Sequence, residues 1–311
     1  MAHILDRPER RARVESARVE SVPFEAAPTE AALAATNDLD RRSTAEILAA
    51  IHTEDRCAVD AVGAVLPALA RAVDALTAVL AGGGRWFNVG AGTSGRLGCL
   101  DAAEIPPTFG FAPDRIEALV AGGPAAMMRA REGAEDDAES ARTALRAREL
   151  GPRDAVVAIS ASGRTPYALA GLEVAYQVGA RRIAISCDPD SPLARAAEIV
   201  IAPHTGPEVI AGSTRMKGGL AQKMILHSLS TAVMVRLGRV EGNRMTHLRP
   251  GSRKLWRRAL ALLQELSDAD EATARDALER SYGDVAEALA VLRTRHGSAL
   301  PLHRSGIRGE R

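Results

Sequence analysis

The sequence of 311 residues contains no apolar run that approaches the roughly 20 residues a helix needs to cross a membrane. Its first residues lack the apolar centre of a secretory signal, so we expect a cytoplasmic protein. Three cysteines occur, Cys57, Cys99 and Cys187, and none belongs to a CxxC pair. We interpret them as reduced, buried thiols, because cysteines without such spacing usually act as small apolar side chains.

Charge and metal-ligand patterns are also sparse. The net charge is +1, which argues against a broad nucleic-acid surface. Seven histidines show no metal-ligand spacing. No serine has a base partner nearby in the sequence, so nucleophilic hydrolysis has no support. With 46% hydrophobic and 25% charged residues, the composition is that of a soluble globular protein, for which we expect neither nucleic acid nor a membrane as partner.

Apolar, strand-like runs alternate with helical patterns through the middle of the chain. Five such runs predict β-strands, at residues 85–89, 116–120, 155–159, 182–186 and 199–201. The helical segments between them indicate a parallel sheet covered on both faces, a three-layer αβα fold. Ligands of such folds bind at the carboxyl ends of the strands.

The flanking regions differ in character. Residues 1–28 are rich in arginine and glutamate, and we expect a mobile leader. Residues 29–248 are predicted to form the α/β domain with its preceding helices, residues 249–295 a small helical appendix, and residues 296–311 a loose basic tail. Within the α/β domain, residues 212–214 predict the N-cap of a long helix.

The first segment that carries chemistry follows the strand at 85–89. Its sequence is Gly90-Ala91-Gly92-Thr93-Ser94-Gly95, and a helical pattern begins there. Glycine lets the backbone approach an anion, the helix start supplies free N–H groups, and Thr93 and Ser94 add neutral donors. The glycines also resemble a dinucleotide fingerprint, but hydroxyls stand where that loop is apolar and no acidic residue follows to hold a ribose. A phosphate monoester fits better, and a plain strand-to-helix turn is the alternative.

A second hydroxyl-rich segment repeats this arrangement one strand–helix unit later. It contains Ser160, Ser162, Gly163 and Thr165 after the strand at 155–159. Pro166 suits a first helical turn, so part of the pattern has a local cause. Because two such turns follow apolar strands, we expect both to meet at one sugar-phosphate site.

Basic residues near these segments have more than one interpretation. Arg96 and Arg164 each follow a glycine and either contact phosphate or carboxylate, or face solvent. Lys217 and Lys223 follow Ser213 and either neutralise an anionic substrate or lie on the surface. The sequence leaves both alternatives open.

Two glutamates are candidates for acid–base chemistry. Glu104 follows the first segment closely and precedes Pro106-Pro107, which we expect to end the helix and hold the carboxylate nearby. Glu135 lies in an acidic run, for which a solvated helix face is the usual explanation. Spacing alone therefore favours Glu104.

Three further runs are distinctive. They are Glu104-Ile105-Pro106-Pro107-Thr108, Glu132-Gly133-Ala134-Glu135-Asp136 and Gly212-Ser213-Thr214-Arg215-Met216-Lys217. Together with the two hydroxyl-rich segments they resemble the N-acetylmuramic acid 6-phosphate etherase family, which has the sugar isomerase (SIS) fold. The matching runs span most of residues 29–255 in order. The resemblance implies an SIS-type α/β domain that binds a phosphorylated amino sugar.

The resemblance implies a lyase that requires no metal or organic cofactor and that acts in amino sugar catabolism and peptidoglycan recycling. The family cleaves the C3 ether of D-lactate by elimination across C2–C3 and then hydration, leaving N-acetylglucosamine 6-phosphate. By motif match, Glu104 and Glu135 carry over as the acid–base pair. We assign protonation of the lactate oxygen to Glu104 and removal of the C2 proton to Glu135, although the match does not fix this division.

The same resemblance implies the residues that bind the substrate and the assembly that holds them. The binding residues are Gly92, Thr93, Ser94, Ser160, Ser162, Gly163, Thr165, Ser213 and Lys217. The family usually works as a homodimer with sites near the interface, so the two glutamates of one site can come from different subunits.

Two histidines depart from the family pattern. His227 stands where the family carries Asn, and His247 where it carries Asp. Replacing a carboxylate with an imidazole changes the charge and hydrogen bonding. One alternative is therefore a divergent paralogue that acts on another hexosamine phosphate. Another is a sugar-phosphate-sensing regulator of a sugar kinase, but sensing does not need the two glutamates retained here.

Overall fold

The structure, a computed structural model, describes residues 27–248 and 250–295. Most of the leader predicted for residues 1–28, and all of the tail predicted for residues 296–311, lies outside the described residues.

The described chain divides into two compact units. The first comprises residues 27–104 and 112–237, and the second comprises residues 105–111 with the described part of 238–295. The division falls inside the helix that carries Glu104, directly after that residue.

A five-stranded parallel sheet forms the centre of the first unit, in the order β2-β1-β3-β4-β5. The strands are β1 Trp86–Gly90, β2 Ile116–Val120, β3 Ala155–Ile159, β4 Arg181–Ile185 and β5 Ile199–Ile201. All five predicted strands are confirmed to within one residue at each end. The chain passes from β1 to β2 on one side and then to β3 on the other, so the strand order reverses between β1 and β3.

Helices cover this sheet and build the second unit. In the described residues they are α1 Thr44–Ala64, α2 Leu66–Ala81, α3 Gly92–Phe109, α4 Ala138–Ala147, α5 Pro166–Val178, α6 Pro192–Ala196, α7 Lys217–Arg236, α8 Arg253–Ser267, α9 Glu271–Arg280 and α10 Val285–Arg295. Every residue of β1 and β3 is buried, as expected for central strands covered on both faces. The predicted αβα architecture is therefore confirmed.

Two long helices, α1 and α2, precede the sheet and pack on α7. No single helix of the described residues is both long and apolar enough to cross a membrane. Taken together, α1 and α2 pass that test of length and composition, but they are bent by 60° at their junction.

The two prolines of α3 do not end the helix, contrary to the prediction from the sequence. The helix includes Pro106 and Pro107 and continues to Phe109. Each proline removes one intrahelical hydrogen bond, but the backbone keeps its helical path. The helix ends at Gly110, which has a φ of +58° and donates its N–H to the Pro106 carbonyl at 2.9 Å.

The second unit is small and mainly helical. A short antiparallel pair, β6 Val240–Glu241 and β7 Arg244–Met245, precedes α8, α9 and α10. Its core contains Leu263, Leu278 and Leu292, which are almost completely buried. The predicted C-terminal helices are therefore present.

Candidate functional site

Both hydroxyl-rich segments leave the sheet side by side. We call residues 90–95 the first loop and residues 160–165 the second loop. Gly90 at the end of β1 pairs with Ile159 at the end of β3. These are the strands between which the strand order reverses, and ligands of open α/β sheets bind at that point. The sheet therefore brings the two predicted loops together.

The first loop presents an open helix start. Gly92 is exposed, has a φ of +52°, and leaves space in which an added Cβ would meet no atom within 4 Å. The first N–H groups of α3 have no intrahelical partner, so they carry the positive end of the helix dipole. Ser94 is buried and its hydroxyl donates to Oε1 of Gln222 on α7 at 2.9 Å. Thr93 stays half-buried beside this opening.

The second loop is held by its own hydroxyls. The buried Ser160 Oγ accepts the N–H of Gly163 at 3.0 Å and lies 2.9 Å from the Thr165 hydroxyl. The Ser162 hydroxyl, 3.5 Å from that of Ser160, accepts the N–H of Arg164 at 3.3 Å. Ser162 and Thr165 are half-buried, so their hydroxyls line the loop while Ser160 organises it.

Gly163 lets the second loop lie closer to Ser191 and Ser186 than a residue with a Cβ atom would permit. Its φ is +65°, and an added Cβ would overlap Oγ and Cβ of Ser191 and lie 2.7 Å from Ser186 Oγ. Ser191 is the N-cap of α6, where its hydroxyl accepts the N–H of Ala194. The second loop is thus packed against a neighbouring helix start.

The start of α7 lies against both loops. A Cβ added at Gly219 would lie 3.3 Å from Thr93 Cγ2, and one added at Gly218 would lie 3.6 Å from Ala161 Cβ. The two glycines therefore let the helix backbone approach the first and second loops at once.

The N-terminus of α7 is capped by a residue that the sequence did not single out. Residues 212–214 were predicted to form the cap, but they form a turn and the helix begins at Lys217. The buried carboxylate of Glu208 accepts the N–H groups of Lys217 at 3.1 Å and Gly218 at 2.9 Å. Burial raises the pKa of Glu208, against the opposing effect of these two N–H groups. An internal anion therefore occupies this helix start.

Lys217 and Ser213, both predicted to bind substrate, have different surroundings. The Lys217 side chain is 3% exposed, and its ammonium is paired with Glu54 of α1. Ser213 is half-buried in the turn before α7, where its carbonyl accepts the N–H of Met216. The charge of Lys217 is thus compensated within the protein.

Both arginines that follow the loop glycines donate to protein groups. Arg164 Nη1 donates to the Ser162 carbonyl and to Asp188 Oδ2, each at 2.7 Å. Arg96 Nε donates to the carbonyl of Ala126 at 2.8 Å. These contacts support the backbone around each loop.

The two candidate acid–base residues lie on different elements. Glu104 is on α3, and Glu135 lies in a short 3₁₀ helix, Ala134–Asp136, between β2 and α4. Both side chains are exposed. Glu104 follows β1 by way of α3, and Glu135 follows the neighbouring strand, β2.

Asp101 is a further ionisable residue that the sequence did not single out. It is 3% exposed, its Oδ1 accepts the Ser230 hydroxyl at 3.0 Å, and its Oδ2 has no partner among the described residues. Burial raises the pKa of its carboxyl to about 6, with Ser230 and Lys223 opposing and Glu104 adding to the shift. The sequence did carry a signal for Asp101, because it is an acidic residue in an otherwise apolar run, three positions before Glu104.

The two histidines that the sequence analysis compared with the family, His227 and His247, lie in different places. His227 on α7 is exposed, and its Nδ1 lies 2.8 Å from the Lys223 carbonyl. His247 is half-buried in the second unit, where its carbonyl would collide with any Cβ at Gly110. Burial and the nearby Arg239 lower the pKa of His247. Among the described residues, no group of three or more His, Cys, Asp or Glu side chains is arranged to hold a metal ion.

Two family models match parts of the chain. One, the glucokinase regulatory protein N-terminal SIS domain, matches residues 68–176, and the other, the SIS domain, matches residues 138–232. A phosphoheptose isomerase of known structure from Francisella tularensis has a TM-score of 0.48 at 18% identity, covering 62% of this chain and 99% of that protein.

Sequence relatives match most of the chain. N-acetylmuramic acid 6-phosphate etherase of Pectobacterium atrosepticum is 48% identical over 83% of this chain and 85% of its own length. The protein of the same name from Symbiobacterium thermophilum is 49% identical over 82% of this chain and 85% of its own length. The resemblance inferred from the motifs is thereby confirmed. The chain belongs to the N-acetylmuramic acid 6-phosphate etherase family and has its SIS fold.

Proposed function

We propose that the protein cleaves the D-lactyl ether of N-acetylmuramic acid 6-phosphate, giving N-acetylglucosamine 6-phosphate and D-lactate. Family membership, at 48% identity over 83% of the chain, carries this proposal. The geometry agrees with it, since two hydroxyl-rich loops meet where the strand order reverses and the start of α3 is open at the exposed Gly92.

The phosphate is held by the two loops together. Thr93, Ser162 and Thr165 keep half-buried hydroxyls at the loops and are the direct ligands. The free N–H groups at the start of α3 add donors and a positive dipole end. Ser94 and Ser160 are engaged within the protein, and they orient the first and second loops respectively.

The chemistry is a C2–C3 elimination followed by hydration. Opening of the sugar ring exposes the C1 aldehyde, which makes the C2 proton acidic enough for a carboxylate base to remove. Glu135 takes this proton, the C3–O bond breaks, and Glu104 gives a proton to the departing lactate oxygen. Water then adds at C3, and a proton returns to C2. Two carboxylates in opposite protonation states suffice for both halves of the reaction.

We also propose that the protein is a cytoplasmic homodimer and acts in peptidoglycan recycling. In the single chain Glu104 and Glu135 are both exposed. Acid–base catalysis works best where water is excluded, so a second copy that covers these side chains would suit the reaction. The glutamates of one site can then come from two subunits.

Regulation of a sugar kinase by sugar-phosphate sensing is the second candidate. The match of residues 68–176 to the glucokinase regulatory protein N-terminal SIS domain favours it. A sensor needs the loops but has no use for Glu104 and Glu135. The activity of variants at these two residues therefore separates the two functions.

The test is lactate release from N-acetylmuramic acid 6-phosphate in deuterated water. The wild type should release lactate and carry deuterium at C2 of the product. We expect Glu135→Gln to lose both signals at least 100-fold, because removing a general base typically costs about 10²–10⁴ in rate. Glu104→Gln should lose lactate release but retain exchange at C2, because only the leaving oxygen lacks its acid.

Glu132→Gln is the matched control, since Glu132 is exposed in the same acidic run as Glu135. It should retain wild-type activity. A wild-type protein that binds the 6-phosphosugar without releasing lactate would exclude this substrate and favour the sensor or a paralogue with another hexosamine phosphate.

A further inference from the structure

The segment that carries Glu135, residues 122–137, is weakly packed in its middle. Gly122, Gly123 and Gly133 have positive φ angles, and every residue from 128 to 133 is exposed, Met128 to 88%. It contains only two short 3₁₀ turns before α4. Stretches with few buried apolar groups open easily. The 3₁₀ turn that carries Glu135 packs on α5, with Ala134 against the core, so this turn and Ala126 hold the segment on either side of its exposed middle.

Ala126 anchors the first half of this segment. Its side chain is 4% exposed, and its carbonyl accepts the Arg96 Nε–H at 2.8 Å. Arg96 is the fifth residue of α3, two residues after Ser94 of the first loop. A second arginine, Arg131, donates to the Gly122 carbonyl at 3.0 Å and closes the segment on itself. Arg96 instead ties the segment to the helix that begins at the first loop.

We propose that Arg96 is a positioning residue that holds the Glu135 segment against the start of α3. The inference rests on the proposed function, in which Glu135 removes the C2 proton. The same helix start then holds the phosphate at C6 and fixes the carboxylate that acts at C2. A displacement of about 1 Å in such an arrangement can lower a rate by about 100-fold.

A direct role of Arg96 in substrate binding makes a different kinetic prediction. A guanidinium that bound the phosphate or the lactyl carboxylate would contribute mainly to affinity, so its loss would raise KM and leave kcat nearly unchanged. A positioning residue for the base lowers kcat and leaves KM nearly unchanged, because the phosphate-binding hydroxyls remain.

Arg96→Gln is therefore compared with Arg129→Gln, a matched change at an exposed arginine of the same segment. We expect Arg96→Gln to lower kcat for lactate release and for C2 exchange about 10–100-fold, with KM changed less than about 3-fold. Arg129→Gln should leave both constants near wild type. A raised KM with unchanged kcat would overturn the proposal.

A double-mutant cycle with Glu135→Gln tests whether Arg96 acts through Glu135. If it does, Arg96→Gln should lower the residual rate of Glu135→Gln less than 3-fold, because interacting residues are not additive. Losses that multiply would show independent action and contradict the proposal.

Amide hydrogen exchange gives a readout that does not depend on activity. Peptides covering residues 122–137 should exchange at least 10-fold faster in Arg96→Gln than in Arg129→Gln, while β1 and β3 keep wild-type protection. Unchanged amide exchange in that segment would overturn the proposed role of Arg96, even if the wild type released no lactate. Absence of lactate release in the wild type would, by itself, count against the proposed function and its base.

Discussion

The first and second loops have similar sequences but are held in place by different means. In the second loop, the Ser160 hydroxyl binds the Gly163 N–H and the Thr165 hydroxyl within six residues of chain. In the first loop, the Ser94 hydroxyl reaches Gln222, 128 residues away. One loop is therefore largely self-supporting, whereas the other depends on α7.

This difference shows why hydroxyl residues in a loop cannot be assumed to be ligands. Ser94 and Ser160 are the two most buried hydroxyls of the predicted site, and both are engaged with protein groups. Half-buried Thr93, Ser162 and Thr165 are better placed for a substrate. Local hydrogen bonds of serine to nearby backbone are a common way to fix a turn.

The two loops should differ most in how much stability the protein loses when one methyl group is added to each loop. Both Gly163 and Gly92 have positive φ, but only Gly163 lacks space for a Cβ, because Ser191 stands in the way. We expect Gly163→Ala to destabilise the protein by about 3–5 kcal/mol, since overlap adds to backbone strain. Gly92→Ala should cost about 1–2 kcal/mol from the left-handed conformation alone. Urea unfolding measures both, and equal losses would contradict the comparison.

The contribution of α3, the helix after the first loop, to the stability of the protein should depend on pH. Burial raises the pKa of Asp101 on α3 to about 6, from an ordinary value of 3.8. Between these pH values the folded protein keeps a proton that the unfolded chain has lost. The resulting contribution to stability is complete below pH 3.8 and is lost as the pH rises through about 6. At about 1.4 kcal/mol per pKa unit, the change is at most about 3 kcal/mol.

Asp101→Asn removes this titration. The free energy of unfolding of the wild type, relative to that of Asp101→Asn, should therefore fall by up to about 3 kcal/mol between pH 4 and pH 7. Asp114→Asn, at an exposed position of the same unit, serves as the control. A pH-independent difference between wild type and Asp101→Asn would show that burial does not perturb Asp101.

The smallest effect should come from removing one hydroxyl from each loop. Ser160→Ala removes two hydrogen bonds inside a buried turn, those to the Gly163 N–H and the Thr165 hydroxyl, and leaves the Gly163 N–H with the Ser160 carbonyl at 3.1 Å. We expect a loss of about 2 kcal/mol. Ser94→Ala removes one bond to Gln222, whose Nε2 already has no partner among the described residues, and should cost about 1 kcal/mol. Thermal unfolding orders the two variants, and a larger loss for Ser94→Ala would reverse the comparison.

Much of the architecture was predictable because it depends on local patterns. Apolar runs that alternate with helical patterns identified all five strands, and the loops follow β1 and β3 as predicted. The predicted helix end at Pro106 was wrong, because proline removes hydrogen bonds without forbidding a helical backbone. The predicted cap at residues 212–214 was wrong because Glu208 supplies two acceptors from outside that turn.

The sequence by itself determined the family, the parallel sheet and the two loops, since each is encoded in short contiguous runs of residues. Only the tertiary structure decided what individual polar groups do. Arg96 donates to Ala126, Lys217 pairs with Glu54, and Asp101 is buried beside Ser230. These partners lie 30, 163 and 129 residues away along the chain. Burial and partner identity are set by which surfaces the fold brings together, and no local pattern records that.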